Sequence, residues 1–397
     1  MSLKSCKSAI TRNLINLLGW RTTRKIVVIE SDDWGSVRMS SKEAYNYLLT
    51  KGIPVDNCPY NRYDALECNE DLEELFNVLG SVKDSKGNPA LLTANAVMAN
   101  PDFDKIRESD FQKYYYEPFT KTLERYPAHD HVYALYHKGI NDKLFIPQFH
   151  GREHVNVARW MQALQVGDDT ALTAFKWKMF SLHTGINSGC RGEYLDAFAV
   201  ENLEEQLHLR AIVAEGLTLF NDLIGYKSRT CIAPCYAWNS DIEQTLFEHD
   251  VQAMQGVLIQ KVSLFGMNGS YKRRYHYTGQ RNHLSQSYVV RNCFFEPSLT
   301  IGLDPVPNCL IRIRAAFAWH KPAIISTHRL NFMGLLNSSN REKNLNHFKK
   351  LLIAITKHWP DVEFLSSDQL ADLILENVDH EMDSRVFLNG HKTNINC

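Results

Sequence analysis

Four short runs of this chain carry side chains that can do chemistry, and they come in a fixed order. Ser31-Asp32-Asp33-Trp34-Gly35 follows the apolar run Ile26-Val27-Val28-Ile29, and His150-Gly151-Arg152-Glu153-His154 follows Leu144-Phe145-Ile146. Ala233-Pro234-Cys235-Tyr236 comes third, and His328 ends the run Ala323-Ile324-Ile325-Ser326-Thr327. Adjacent carboxylates in apolar surroundings invite a division of labour, in which one ligates a cation and the other takes a proton. Neighbouring residues of a strand face opposite sides, so Asp32 and Asp33 share a site only where the chain turns, and Gly35 offers that turn. His150 and His154 are four apart, which on a helical turn sets both imidazoles on one face, about 5–6 Å apart at Cβ. That spacing suits one divalent ion, and a carboxylate as third ligand leaves a fourth position open for water. The run at Pro234 reads as an ordinary strand end, whose functional use is to turn backbone N–H groups toward an oxyanion. Tyr236 and Trp238 either wall a sugar or pack in the core. A lone histidine at a strand end is more often structural than catalytic, but His328 is the well-placed candidate for a general acid, and Trp319 and His320 just upstream are candidates to line the same pocket.

Each run sits where a strand should give way to a loop. Strands are expected over residues 25–30, 90–98, 144–149, 229–234, 252–259, 322–327 and 363–365, from apolar and β-branched composition. Helices are expected over 41–49 (capped by Ser40 or Ser41), 111–126 with an aromatic face at Tyr114, Tyr115 and Tyr116, 155–165, 240–248, 311–318, 340–358 and 368–375. The clearest helix is 201–224, with Leu203, Leu207, Ile212 and Leu219 at three- and four-residue spacing. Residues 262–300 are rich in Tyr, Arg, Asn and His without periodicity and read as a long loop insertion. Alternating strands and helices argue for a parallel α/β fold. Polar motifs after several separate strands favour a barrel with its site at the carboxyl rim, where a metal-dependent hydrolase collects carboxylates and imidazoles. No GxGxxG follows the first strand, which disfavours a doubly wound dinucleotide fold. The expected layout is a lead-in over 1–24, a barrel over 25–376 with the insertion at 262–300, and a polar tail over 377–397.

The 397 residues, 44% hydrophobic, suffice for one large or two ordinary domains. A net charge of -1 argues against nucleic acid as a partner. Nine scattered cysteines without a CxxC pair read as free thiols in a reducing compartment. The N-terminal apolar run is short and interrupted, and no stretch reaches the roughly 18 apolar residues of a membrane span, so a cytoplasmic protein is expected.

Taken together, the Asp-Asp pair, His-x-x-x-His, the Pro-aromatic strand end and the late strand ending in His resemble the polysaccharide deacetylase family. This is the NodB-homology group, carbohydrate esterase family four, and the resemblance covers roughly 25–375. It implies a distorted seven-stranded (β/α) barrel and metal-dependent removal of an acetyl group from an N- or O-acetylated sugar or polysaccharide precursor. It implies Asp32 as catalytic base and His328 as catalytic acid. Asp33, His150 and His154 would hold a divalent metal of zinc type, with Co, Ni or Mn as alternatives. Substrate contacts are then expected from Trp34, Arg152, Pro234, Tyr236, Trp238 and Trp319, and the oxyanion from a backbone N–H near Tyr236. Three departures stand out. Trp34 is inserted before the glycine, Ser326 stands where the family has leucine, and Ile232 stands where it has the arginine that holds the base. Arg229, Arg152 or Arg329 would have to replace that arginine in space. Two rival readings remain. His150-x-x-Glu153-His154 fits an H-x-x-E-H zinc metallopeptidase, with Glu153 as base and Glu201, Glu204 or Glu205 as third ligand. A non-catalytic carbohydrate-binding relic of the deacetylase fold is the other. The oligomeric state is left open.

Overall fold

The structure is a computed structural model that describes residues 11–182, 193–266, 270–300 and 302–376. The expected tail 377–397 and the first ten residues of the lead-in lie outside them. Nine strands form one parallel sheet: β1 Lys25–Trp34, β2 Leu92–Ala96, β3 Phe145–Phe149, β4 Thr230–Ile232, β5 Ala253–Gly256, β6 Ser287–Val290, β7 Cys293–Phe294, β8 Ala323–His328 and β9 Val362–Leu365. Their order is β6-β5-β4-β3-β2-β1-β8-β7, and β9 pairs with the first half of β1. Ile26 to Ile29 of β1 are fully buried, as continuous apolar strands covered on both faces must be. The sheet is mostly parallel and flanked by helices, so the architecture is barrel-like.

One dipeptide joins the two edge strands of this sheet. Arg291 and Asn292 alone separate β6 from β7. The Arg291 N–H donates to O of Gly256, the last residue of β5 (2.8 Å), and the Asn292 N–H donates to Ile324 O of β8 (3.2 Å). The run 287–294 therefore bonds to one flank of the sheet with its first half and to the other with its second. Residues 262–300, expected as a loop insertion, instead supply these two sheet strands and one arm of a hairpin, Ile259–Ser263 with Tyr271–Tyr275. Strands of four and two residues are too short to show a period, which explains the misreading.

The helix expected over 201–224 spans Leu203–Ile224. Asn202 accepts from the Glu205 N–H at one end, and Gly225 closes the other with φ 88°. Its inward face is not the expected one: Leu203 and Leu207 are exposed, and Leu209, Val213, Leu217 and Phe220 enter the core. The helix expected over 111–126 does not form. Asp110 and Phe111 have positive φ, and Pro118 cannot sit inside a helix, so the segment breaks into a short strand Tyr116–Pro118 and the single turn Phe119–Leu123. Among the described residues six cysteines are free thiols, and no helix is long and apolar enough to cross a membrane.

Candidate metal and acid–base site

Because the sheet is parallel, the carboxyl ends of its strands share one rim, and the sequence motifs assemble there. Asp32 lies opposite His328 in the β1–β8 register. Asp33 has φ 78°, and the pairing of β1 with β2 slips between Ser31 and Trp34. This bulge breaks the two-residue alternation, so both carboxylates face one cavity. The turn expected at Gly35 therefore begins at Asp33. Gly35 continues it with φ 80°, and a Cβ there would stand 2.5 Å from Val97 O.

Asp33 Oδ1 lies 3.4 Å from His150 Nε2 and 3.2 Å from His154 Nε2. The three ligand atoms lie within 4.8 Å of one another. The His motif is an extended loop with Gly151 at φ 124°, not the expected helical turn. The ring centroids are nonetheless only 4.9 Å apart. His150 Nδ1 is 2.8 Å from Ile232 O. A carbonyl can only accept, so Nδ1 carries the proton and Nε2 presents its lone pair to the cluster. Burial pushes the His154 imidazole below its ordinary pKa and so keeps it neutral. Burial also opposes ionisation of Asp33, but the imidazoles of His150, His154 and His328 around it outweigh burial and hold its carboxyl well below the usual range. Two imidazoles and an ionised carboxylate turned toward one point fit a divalent ion.

Beside this cluster Asp32 is locked in place. Arg291 donates from Nη2 to Oδ1 (2.6 Å) and from Nη1 to Oδ2 (2.7 Å), and Asn95 Nδ2 donates to Oδ1 (2.7 Å). The third nitrogen of Arg291, Nε, reaches Glu30 at 2.6 Å. Burial alone would raise Asp32, but the arginine overrides it and brings the carboxyl down to about 2. Glu30 receives one bond from that guanidinium, and burial leaves it above its ordinary value. Arg291 thus holds Asp32 in the way the resemblance expected of an arginine at position 232. None of the three expected substitutes does so: Arg229 pairs with Asp372, Arg152 with Glu153 and Glu215, and Arg329 with Asp64 and Glu67.

His328 Nε2 is 3.7 Å from Asp32 Oδ2, and its Nδ1 is 2.7 Å from Glu296 Oε1. Burial disfavours the imidazolium, yet Glu296, with Asp32 and Asp33, lifts its pKa to about 10. Glu296 comes from the segment read as a loop insertion, and no sequence signal pointed to it. The cavity has a volume of about 470 Å³ and is also lined by Arg38, Tyr60, Leu195, Cys235, Tyr236 and Leu299. Tyr236 enters it through a turn in which Cys235 and Tyr236 have φ 54° and 57°. The Tyr236 N–H itself is committed to Ala233 O (3.0 Å) and is not turned to an oxyanion.

Several expected substrate contacts fall elsewhere. Trp34 is fully buried, stacked edge-on against Phe145 at 4.9 Å with its indole N–H on Ser31 Oγ. Trp238 is buried with its N–H on Glu243, and Pro234 is buried at the base of the turn. Trp319 caps a helix and bonds Asn13. Arg152 backs the histidine loop, its guanidinium over the Tyr116 ring at 4.1 Å. Glu153 gives both oxygens to Arg152 (2.6 and 2.7 Å). With this and the non-helical histidine loop, the structure lacks the free base and the helix that a metallopeptidase reading needs.

No protein-family model matches the chain, and no curated protein matches it. Solved structures do. One is a protein named as a polysaccharide deacetylase from Mycobacterium smegmatis, 11% identical, covering 91% of this chain and 93% of that one with a TM-score of 0.42. A second so named, from Pseudomonas aeruginosa PAO1, is 8% identical over 88% and 91% with a TM-score of 0.43. Puue allantoinase is 9% identical over 89% and 91% with a TM-score of 0.38. The likeness is one of fold, and the chemistry rests on the geometry above.

Proposed function

We propose that this chain is a metal-dependent hydrolase that removes an acetyl group from an acetylated sugar. One observation carries the reading: Asp33, His150 and His154 converge on one point, while Asp32 and His328 face each other beside it across 3.7 Å. A divalent ion held by Asp33, His150 and His154 would acidify water and polarise the acyl carbonyl. Asp32, ionised at every working pH, is placed to accept a proton from the attacking water. His328 keeps its Nδ1 proton on Glu296, so Nε2 is the atom that delivers a proton to the leaving amine or alcohol. Leu195 and Leu299 offer apolar wall for the acetyl methyl, a part the expected leucine at Ser326 does not play. Arg291 holding Asp32 weighs against a non-catalytic binding relic of the same fold. We also read the bent run 287–294 as the strand that closes a barrel with seven strands in its ring.

Elemental analysis of wild type and Asp33→Ala, each purified after zinc loading, tests the site. About one ion per chain in wild type and none in the variant is expected. Asp32→Asn should keep the ion and lose acetate release from acetylated sugars by 10²-fold or more. Metal retained in Asp33→Ala would remove that residue from the ligand set.

A further inference from the structure

One cation of the cavity wall has no part in this scheme. Arg38 lies five residues beyond Asp33 and lines the same cavity as the metal cluster and His328. Its side chain is only 10% exposed. Nη2 donates to Glu193 at 3.2 Å, and the guanidinium sits over the Tyr60 ring at 5.3 Å. Nε is buried without a hydrogen-bond partner, and Nη1 makes no hydrogen bond among the described residues.

The other two buried arginines of the rim differ. Arg291 bonds through all three nitrogens to Glu30 and Asp32. Arg329 does the same, with Asp64, Glu67 and Ser36 O as acceptors. Those guanidiniums are saturated and hold carboxylates in place. A guanidinium carries five N–H donors in a planar fork, and leaving them unmet in a buried place is unfavourable. Arg38 lines the cavity with one nitrogen on Glu193 and donors that no acceptor among the described residues meets. Its Glu193 partner and the Tyr60 ring fix the plane of the fork in advance, which lowers the entropic cost of binding. The oxyanion groups that offer such a fork a pair of oxygens are carboxylate and phosphate. Of the lining carboxylates, Asp32 and Asp64 are answered from behind by Arg291 and Arg329, Asp33 belongs to the candidate metal cluster, and Glu193 takes one nitrogen of Arg38 and leaves the others.

We propose that Arg38 anchors an anionic group, a carboxylate or a phosphate, on the acetylated sugar that enters this cavity. The acetyl part rests on the hydrolase reading, but the anion contact does not. Calorimetric titration of the full chain, with and without zinc, tests it with N-acetylmuramic acid, N-acetylglucosamine 6-phosphate and neutral N-acetylglucosamine. Wild type should bind one of the two anionic sugars at least tenfold more tightly than the neutral one, and which one identifies carboxylate or phosphate. Arg38→Gln should cut that ratio by tenfold or more, and Arg38→Lys, which keeps the charge without the fork, should cut it less. An unchanged ratio in Arg38→Gln, no charge preference in wild type, or no binding of either anionic sugar at millimolar concentration would overturn the proposal. Acetate release from the same sugars is scored separately. Anion-selective binding without release sinks the deacetylase reading and leaves Arg38 as the anchor, and release without charge preference does the reverse.

Discussion

Replacing Arg291 with methionine should expose the cost of the acid pair it holds. The guanidinium is fully buried and makes three bonds of 2.6–2.7 Å to Asp32 and Glu30, both buried themselves. Methionine fills much of the volume but leaves Glu30 without a counter-charge and Asp32 with only the His328 imidazolium at 3.7 Å. Removing one partner of a buried ion pair typically costs about 3–5 kcal/mol. Linkage gives an independent figure for part of this. Holding Asp32 at about 2, against 3.8 when unfolded, contributes roughly 2 kcal/mol. A depressed carboxyl gives stability that is present above the unfolded pKa and lost as pH falls through the folded one. In wild type that contribution is complete above pH 4 and fades toward pH 2. In the variant, burial without the arginine raises both carboxyls, so its stability falls as pH rises above about 4. The gap between the two proteins should therefore be large at pH 7 and narrow on acidification toward pH 4. Urea denaturation followed by tryptophan fluorescence at pH 7, 5.5 and 4.5 reads it. Adding Glu30→Gln to Arg291→Met should restore part of the loss at pH 7, since one unpaired charge is gone. A wild-type midpoint for Arg291→Met at pH 7, or a gap independent of pH, would refute the reasoning.

Further expected outcomes concern the acid and the turn. Glu296→Gln removes the group that contributes most to lifting the His328 pKa to about 10. The imidazole then falls back toward 6.5, and the alkaline limb of kcat/KM for acetate release should move down by more than one pH unit, with zinc content unchanged. An unmoved limb would separate His328 from the proton step. Gly35→Ala puts a Cβ 2.5 Å from Val97 O at φ 80°, so backbone must shift. We expect about 1–3 kcal/mol of destabilisation in urea, together with weaker metal binding as the Asp33 bulge is displaced.

How far the site could be read from sequence follows from what each residue depends on. Asp32, Asp33 and His328 were legible because apolar runs announce buried strands, and a polar group at the end of such a run must face the rim. The need for a turn at the Asp pair followed from strand alternation, but its place did not, since a left-handed φ at Asp33 leaves no mark in composition. The spacing of His150 and His154 was legible, and its helical explanation was wrong. An extended loop around Gly151 brings the rings together as well, because the Ile232 carbonyl fixes one of them. Trp34 and Trp238 show a different limit. A tryptophan serves a sugar or a core equally well, and only packing against Phe145 or a bond to Glu243 decides.

Arg291 was beyond reach for a physical reason. It stands 259 positions from Asp32, between strands of four and two residues, in a segment with no period to read. A buried carboxylate demands a counter-charge at a point in space, not at a position in the chain. In a parallel sheet every strand sends its carboxyl end to the same rim, so any of several strands can deliver the guanidinium to that point. The isoleucine at 232 therefore removes a motif residue without removing the interaction. Its strand keeps a second duty through the backbone, since the Ile232 carbonyl orients His150 whatever the side chain is. The same logic bears on Arg38. Arg291 and Arg329 answer carboxylates that the fold has already buried, while Arg38 on the cavity wall has donors to spare, and the anion we propose there would supply their acceptor.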